Sequence, residues 1–167
     1  MSVALALLLA AAPPLPIVTT PDQIFAVVGQ SQRPTVVHFW ATWCESCVRE
    51  LPAIRQLGQR LQHLGSPLLL ISLDSPDRLA TVAAFVEARR LLTPPSGQAL
   101  LLDAPDPGPL TARFDPTWDA KLPATFVVLQ SGVVAASHLG HTPVSTIVEE
   151  VRTLTNAGDP PPARRMK

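Results

Sequence analysis

Cysteine is scarce in this chain: two residues in 167, Cys44 and Cys47. That excludes a disulfide-stapled scaffold, which needs more cysteines spread along the sequence. Two cysteines this close point to chemistry or metal binding instead. Neither sign of charge is in excess, since 13 Lys and Arg balance 13 Asp and Glu. No electrostatic case therefore exists for a nucleic-acid or polyanion partner. Apolar runs are short. Residues 3–12 (VALALLLAAA) are too few to span a bilayer and have the length of a signal-peptide core. No other segment has transmembrane length. Tyrosine is absent, and no functional reading attaches to that.

What is there suits one globular domain. Hydrophobic residues make up 47%, too many for a disordered chain, and the length allows a real core. Residues 1–16 are expected to be a signal peptide or an N-terminal apolar anchor. Either places the protein outside the cytoplasm, periplasmic or membrane-tethered and facing out. Residues 17–157 form the expected domain, and residues 158–167 (GDPPPARRMK) read as a disordered tail.

Along the domain, strand and helix patterns alternate, which predicts an α/β fold. Thr20, Pro21 and Gln23 supply a cap, a first-turn proline and a capping-box partner for a helix. Residues 35–40 (TVVHFW) and 68–73 (LLLISL) read as buried strands, with a helix over 44–64 between them. Ser75-Pro76 opens another helix, whose Leu79, Val82, Ala83 and Val86 keep helical spacing. Residues 100–102 read as a short strand and 104–109 (APDPGP) as a loop. Residues 125–129 and 133–139 flank Gln130-Ser131-Gly132 and predict an antiparallel hairpin. Thr142-Pro143 starts the last helix, with Val144, Ile147, Val148 and Val151 facing inward.

The cysteines stand where the strand of residues 35–40 hands over to a helix. A helix N-terminus offers unpaired N–H groups and a partial positive charge. Both favour a thiolate, lowering a cysteine pKa from about 8.5 to between roughly 3.5 and 7.5 at such sites. Cys44 is therefore the expected nucleophile. Cys47 lies one helical turn on and faces the same way, so it can resolve a mixed disulfide formed at Cys44. A redox disulfide Cys44–Cys47 is the expected reactive group, with a metal-binding pair and an inert structural pair as the other uses of C-x-x-C; the redox reading implies neither metal nor organic cofactor.

The segment FWATWCESC resembles the active-site segment of thioredoxins. More closely, residues 21–157 resemble the TlpA/ResA-like branch of extracytoplasmic thiol–disulfide oxidoreductases. The resemblance implies a thioredoxin-like fold: a central mixed β-sheet flanked by helices on both faces. It implies a protein-disulfide reductase of exported proteins, fed by a membrane thiol donor; family members commonly serve cytochrome c maturation. It also implies roles for single residues. Pro52 matches the family's kink proline. Pro123, in Leu122-Pro123-Ala124-Thr125-Phe126, matches the cis-proline that packs against the cysteines, so Leu122 would offer backbone groups to a substrate strand. Glu50 matches an acidic residue near the cysteines, where it can carry a proton. Gly140 matches a glycine that leaves room for a partner's backbone. Trp43 matches the surface tryptophan beside the nucleophile. Trp118 either lines the same groove or packs in the core.

Three departures stand out. Glu45-Ser46 replaces the Gly-Pro of thioredoxin proper, so thioredoxin's potential is not carried over. His38 stands where thioredoxins have a buried Asp: it is either a base or charge partner for Cys47 or a hydrogen-bonded core residue. Leu70 replaces the accompanying lysine.

Two other readings compete with this one. Peroxiredoxins use a P-x-x-x-T-x-x-C pattern; here Ala41 holds the threonine position and the proline is missing. A metal module would join the cysteines with His138 and His141 (H-x-x-H) in a tetrahedral site.

Overall fold

The apolar segments that alternate with helical patterns assemble into one sheet. The computed structural model describes residues 16–92 and 97–157, so the leader and the tail expected at residues 1–16 and 158–167 lie outside the described residues, apart from Pro16. Along the chain run β1 (Ile17–Thr19), α1 (Pro21–Gly29), β2 (Thr35–Trp40), α2 (Glu45–Leu64) and β3 (Leu68–Ser72). A 3-10 turn (Pro76–Arg78) leads into α3 (Leu79–Ala88). Then follow β4 (Gly97–Leu102), α4 (Gly108–Phe114), β5 (Ala124–Val128), β6 (Val134–Leu139) and α5 (Val144–Ala157).

The strand order is β1-β4-β3-β2-β5-β6. β2, β3, β4 and β1 are mutually parallel, whereas β5 pairs antiparallel with β2 and β6 with β5. The sheet is therefore mixed. Strand residues alternate between its faces, and each face carries its own core. Val36, Trp40, Leu68, Leu70 and Val127 meet Leu51, Ile54 and Leu57 of α2 and Ile147 and Val151 of α5. On the other face Val37, Phe39, Leu69, Ile71 and Phe126 meet Ile24 and Val28 of α1 and Leu110 and Phe114 of α4. This is the thioredoxin-like α/β arrangement expected from the sequence.

Local chemistry accounts for most element ends. Gln23 Oε1 accepts the Thr20 N–H at 2.9 Å, closing the start of α1. Gly65 ends α2 at φ 69°, the left-handed conformation glycine tolerates. Two elements escape the sequence pattern. β1 is three residues long at the sheet edge, too short to show alternation. α4 begins inside the segment read as a loop, because Gly108 and Pro109 occupy its first turn, where proline is tolerated.

The register places the site. Phe39, near the end of β2, lies beside Ala124, the first residue of β5, and Ala124 lies beside Leu139, the last residue of β6. The loops carrying Cys44, Pro123 and Gly140 therefore leave the sheet at one end.

Candidate active site

β2 is buried along its whole length, so its end is fixed. The chain passes from Trp40 through Ala41, Thr42 and Trp43 to Cys44, the N-cap of α2. A second strand end braces this loop. Asp74, 1% exposed just beyond β3, accepts the Thr42 N–H at 2.8 Å and the Thr42 hydroxyl at 2.6 Å. Its carboxylate also takes the Ser72 hydroxyl at 2.7 Å. Leu73 N–H donates to the Trp40 carbonyl at 2.9 Å. In the sequence Asp74 reads only as a turn residue before Ser75-Pro76. The only signal was an acidic residue directly after a continuous apolar strand.

Cys44 and Cys47 form a disulfide, with Sγ atoms 2.08 Å apart. Cys47 is fully buried, whereas Cys44 keeps 8% of its surface. Of the two residues, only Cys44 can therefore be met from outside. The Cys47 N–H donates to Cys44 Sγ at 3.2 Å, and the Ser46 hydroxyl lies 3.3 Å from it. Both donors would serve a Cys44 thiolate after reduction. Glu45, also in the first turn, points outward and pairs with Arg49.

The bond Leu122–Pro123 is cis, as the resemblance implies. Leu122 is half-buried and packs against both cores. The Pro123 carbonyl accepts the Gly140 N–H at 2.8 Å, tying two of the three loops together. Gly140 sits at φ 96°, and a Cβ placed there would meet no atom within 4 Å. Backbone conformation requires glycine there, and the space beside it is open. Trp43 is 66% exposed beside the nucleophile, whereas Trp40 is core. Trp118 does not line this groove. It is buried on the opposite face against Phe39 and Phe126, with its indole N–H donated to the Lys121 carbonyl.

Glu50 lies one turn beyond Cys47 on α2, and i, i+3 positions share a helix face. It is 8% exposed. Oε1 lies 3.4 Å from His141 Nδ1, and Oε2 has no partner among the described residues. Burial pushes this carboxyl above its ordinary range, and the neighbouring His141 pulls it back down. Pro52 lies inside the same helix, one residue past Leu51 of the core.

His38 is fully buried on the α2 face of the sheet. Its Nδ1 lies 2.9 Å from Thr125 Oγ1, and Nε2 has no partner among the described residues. Burial pushes its pKa down to about 3, so the ring is neutral. Leu70 is its neighbour in β3. The pair His138 and His141 does not converge on the cysteines. His138 Nε2 contacts Glu150 Oε2 at 2.7 Å, while His141 faces Glu50. Among the described residues, no three His, Cys, Asp or Glu side chains are grouped to hold a metal.

Relatives share this architecture. The chain is 30% identical over 106 residues to the thiol-disulfide oxidoreductase ResA of Geobacillus thermodenitrificans, covering 58% of this chain and 60% of that protein. To ResA of Geobacillus kaustophilus it is 31% identical over 80 residues, 47% of this chain and 45% of the relative. The chain thus spans roughly half the length of the curated relatives it matches. The crystal structure of a thio-disulfide isomerase from Thermus thermophilus superposes with a TM-score of 0.56 at 26% identity, covering 75% of this chain and 82% of that one. StoA from Bacillus subtilis superposes at 0.55 and 21% identity, over 72% and 84%, which speaks to fold alone. Residues 12–137, most of the sequence and every strand from β1 to the middle of β6, match the AhpC/TSA family, and the chain belongs to it.

Proposed function

We propose that the protein is a thiol–disulfide oxidoreductase that reduces disulfides in proteins outside the cytoplasm. One observation carries this reading: a disulfide at a helix N-terminus of which Cys44 alone keeps exposed surface, at the same end of the sheet as a cis-proline loop. The names of the ResA relatives and of the Thermus structure support the thiol–disulfide chemistry, and the reducing direction follows the resemblance to the TlpA/ResA-like branch.

The reduced pair would act in two steps. The Cys44 thiolate, held by the Cys47 N–H and the Ser46 hydroxyl, attacks a substrate disulfide. One substrate sulfur leaves and takes a proton, and the other stays bonded to Cys44. Cys47 then gives its proton to the Glu50 carboxylate and attacks Cys44 Sγ. The second substrate sulfur leaves, so the substrate gains two electrons and the pair is left as the disulfide. Burial lowers the basicity of the His38 ring, which favours Glu50 as the proton acceptor in this step. Trp43, Leu122, Pro123 and Gly140 border the groove, where a substrate backbone would lie beside Leu122. A thiol donor at the membrane would restore the dithiol. An N-terminal leader or tether would keep the domain extracytoplasmic.

The test is a trap. Cys47→Ser removes the resolving sulfur, so mixed disulfides should accumulate through Cys44 and be absent from Cys44→Ser. Equal trapping by both variants defeats the assignment. A midpoint potential well below that of the glutathione pool fits a reductase, and one well above it fits an oxidant.

A further inference from the structure

His138 and His141 would be ligands in the rival metal module, and the fold instead gives each a glutamate. The second pair is unusual in its burial. Glu50 has 5% of its side chain exposed, while His141 has 70% exposed. A buried carboxylate beside the resolving cysteine is thus in contact with the surface through one imidazole. One carboxylate oxygen, Oε1, faces His141 Nδ1 at 3.4 Å. The other, Oε2, is buried without a partner among the described residues, although buried charged oxygens ordinarily find one. The backbone holds this geometry from both sides. Glu50 is fixed in α2 by its core neighbours Leu51 and Ile54. His141 follows Gly140, whose N–H is bonded to the Pro123 carbonyl.

We propose that His141 is a positioning residue that acts through Glu50. Its imidazole caps the buried carboxylate from the solvent side and governs when Oε2 can take the proton of Cys47. This deepens the reading above and rests on it. Isolated carboxylates avoid burial because their charged form loses water. A cation beside Glu50 offsets that loss, and histidine is the side chain whose charge changes near physiological pH.

The remaining charged groups around Glu50 have other engagements. On α2, Arg49 pairs with Glu45. α5 packs against α2; its Glu150 is taken by His138 of β6 and its Glu149 by Arg152. From the sheet, His38 presents a neutral ring held to Thr125. His141 is the cation-capable group in contact with Glu50 among the described residues. His141 directly follows Gly140, which is tied to Pro123 at the groove, so a substrate docked there would shield this pair from water and strengthen their interaction.

Two measurements test the proposal. The first follows the Glu50 side-chain carboxyl by carbon-13 NMR through a pH titration of the oxidised full-length protein. In His141→Gln the Glu50 midpoint should rise by about half a pH unit or more, and His141→Lys should bring it back down. Equal midpoints in the wild type and His141→Gln overturn the proposal. The second mixes reduced protein with 5,5′-dithiobis(2-nitrobenzoate) in a stopped-flow instrument. Attack by Cys44 releases one thionitrobenzoate, and attack by Cys47 on the resulting mixed disulfide releases another. His141→Gln should leave the first release unchanged and slow the second about threefold on its acid limb, shifting that limb by the same half unit. A second release that does not move also overturns the proposal. Wild-type protein that gives the first release but never the second defeats the oxidoreductase reading itself, while the NMR titration still reports on the His141–Glu50 contact. His141 is exposed, and an unchanged thermal midpoint checks that its variants fold.

Discussion

His38 shows what a single residue's surroundings do to its chemistry. The ring is held to Thr125 and buried, with its pKa near 3 against an ordinary value of 6.5. Below 6.5 the unfolded chain binds a proton that the native ring refuses. Stability contributed by the neutral ring is therefore complete above that value and is lost as pH falls toward about 3, at up to about 1.4 kcal/mol per pH unit. Urea unfolding at about pH 7.5 and about pH 5 should show the wild type losing about 2 kcal/mol more than His38→Leu. Parallel losses would place the ring's native pKa near its unfolded value. Asp74 makes the second residue-scale prediction. Its carboxylate satisfies both Thr42 donors and the Ser72 hydroxyl, and bonds to charged groups contribute about 1.5–3 kcal/mol each. Asp74→Ala should lower unfolding stability by about 3 kcal/mol and loosen the approach to Cys44. A loss under about 0.5 kcal/mol would mean the brace is dispensable.

At the scale of elements, the two faces of the sheet divide the labour. The α2 face holds the cysteines, Glu50 and His38. The opposite face is an aromatic cluster in which Phe114 of α4 touches Phe25, Phe39 and Phe126 with ring centroids 5.0 Å apart in each case. Phe114→Ala should cost about 3–5 kcal/mol in a chemical-denaturation experiment. The reaction of the reduced cysteines with the dithiobis reagent should stay unchanged. A change there would show that α4 supports the site through the sheet. α4 was hidden in the sequence for a physical reason. Seven residues opened by Gly and Pro carry little helical periodicity, and packing of Leu110 and Phe114 against the sheet holds them helical. α1, by contrast, announced itself through Thr20, Pro21 and Gln23, because capping is a contact between near neighbours. The start of α2 was equally legible, since the thiol pair and the helix end that would activate it lie within four residues.

For the whole molecule, the sequence by itself determined the alternation of strands and helices, the buried β2, the redox pair at a helix start and the hairpin of β5 and β6. Each is written in spacings of a few residues, where backbone geometry alone decides which side chains share a face. Resemblance added the cis bond at Pro123 and the interest of Glu50, His38 and Gly140. Only the tertiary structure decided which groups meet. It gave Glu50 to His141, His38 to Thr125 and Thr42 to Asp74, and it decided between the two readings of Trp118 by placing it in the core of the far face. These contacts span from 32 to 91 positions along the chain where hydrogen bonds or ion pairs tie distant elements. Their formation depends on strand order and register, and burial, which raises the Glu50 pKa and lowers that of His38, exists only once both faces of the sheet are covered.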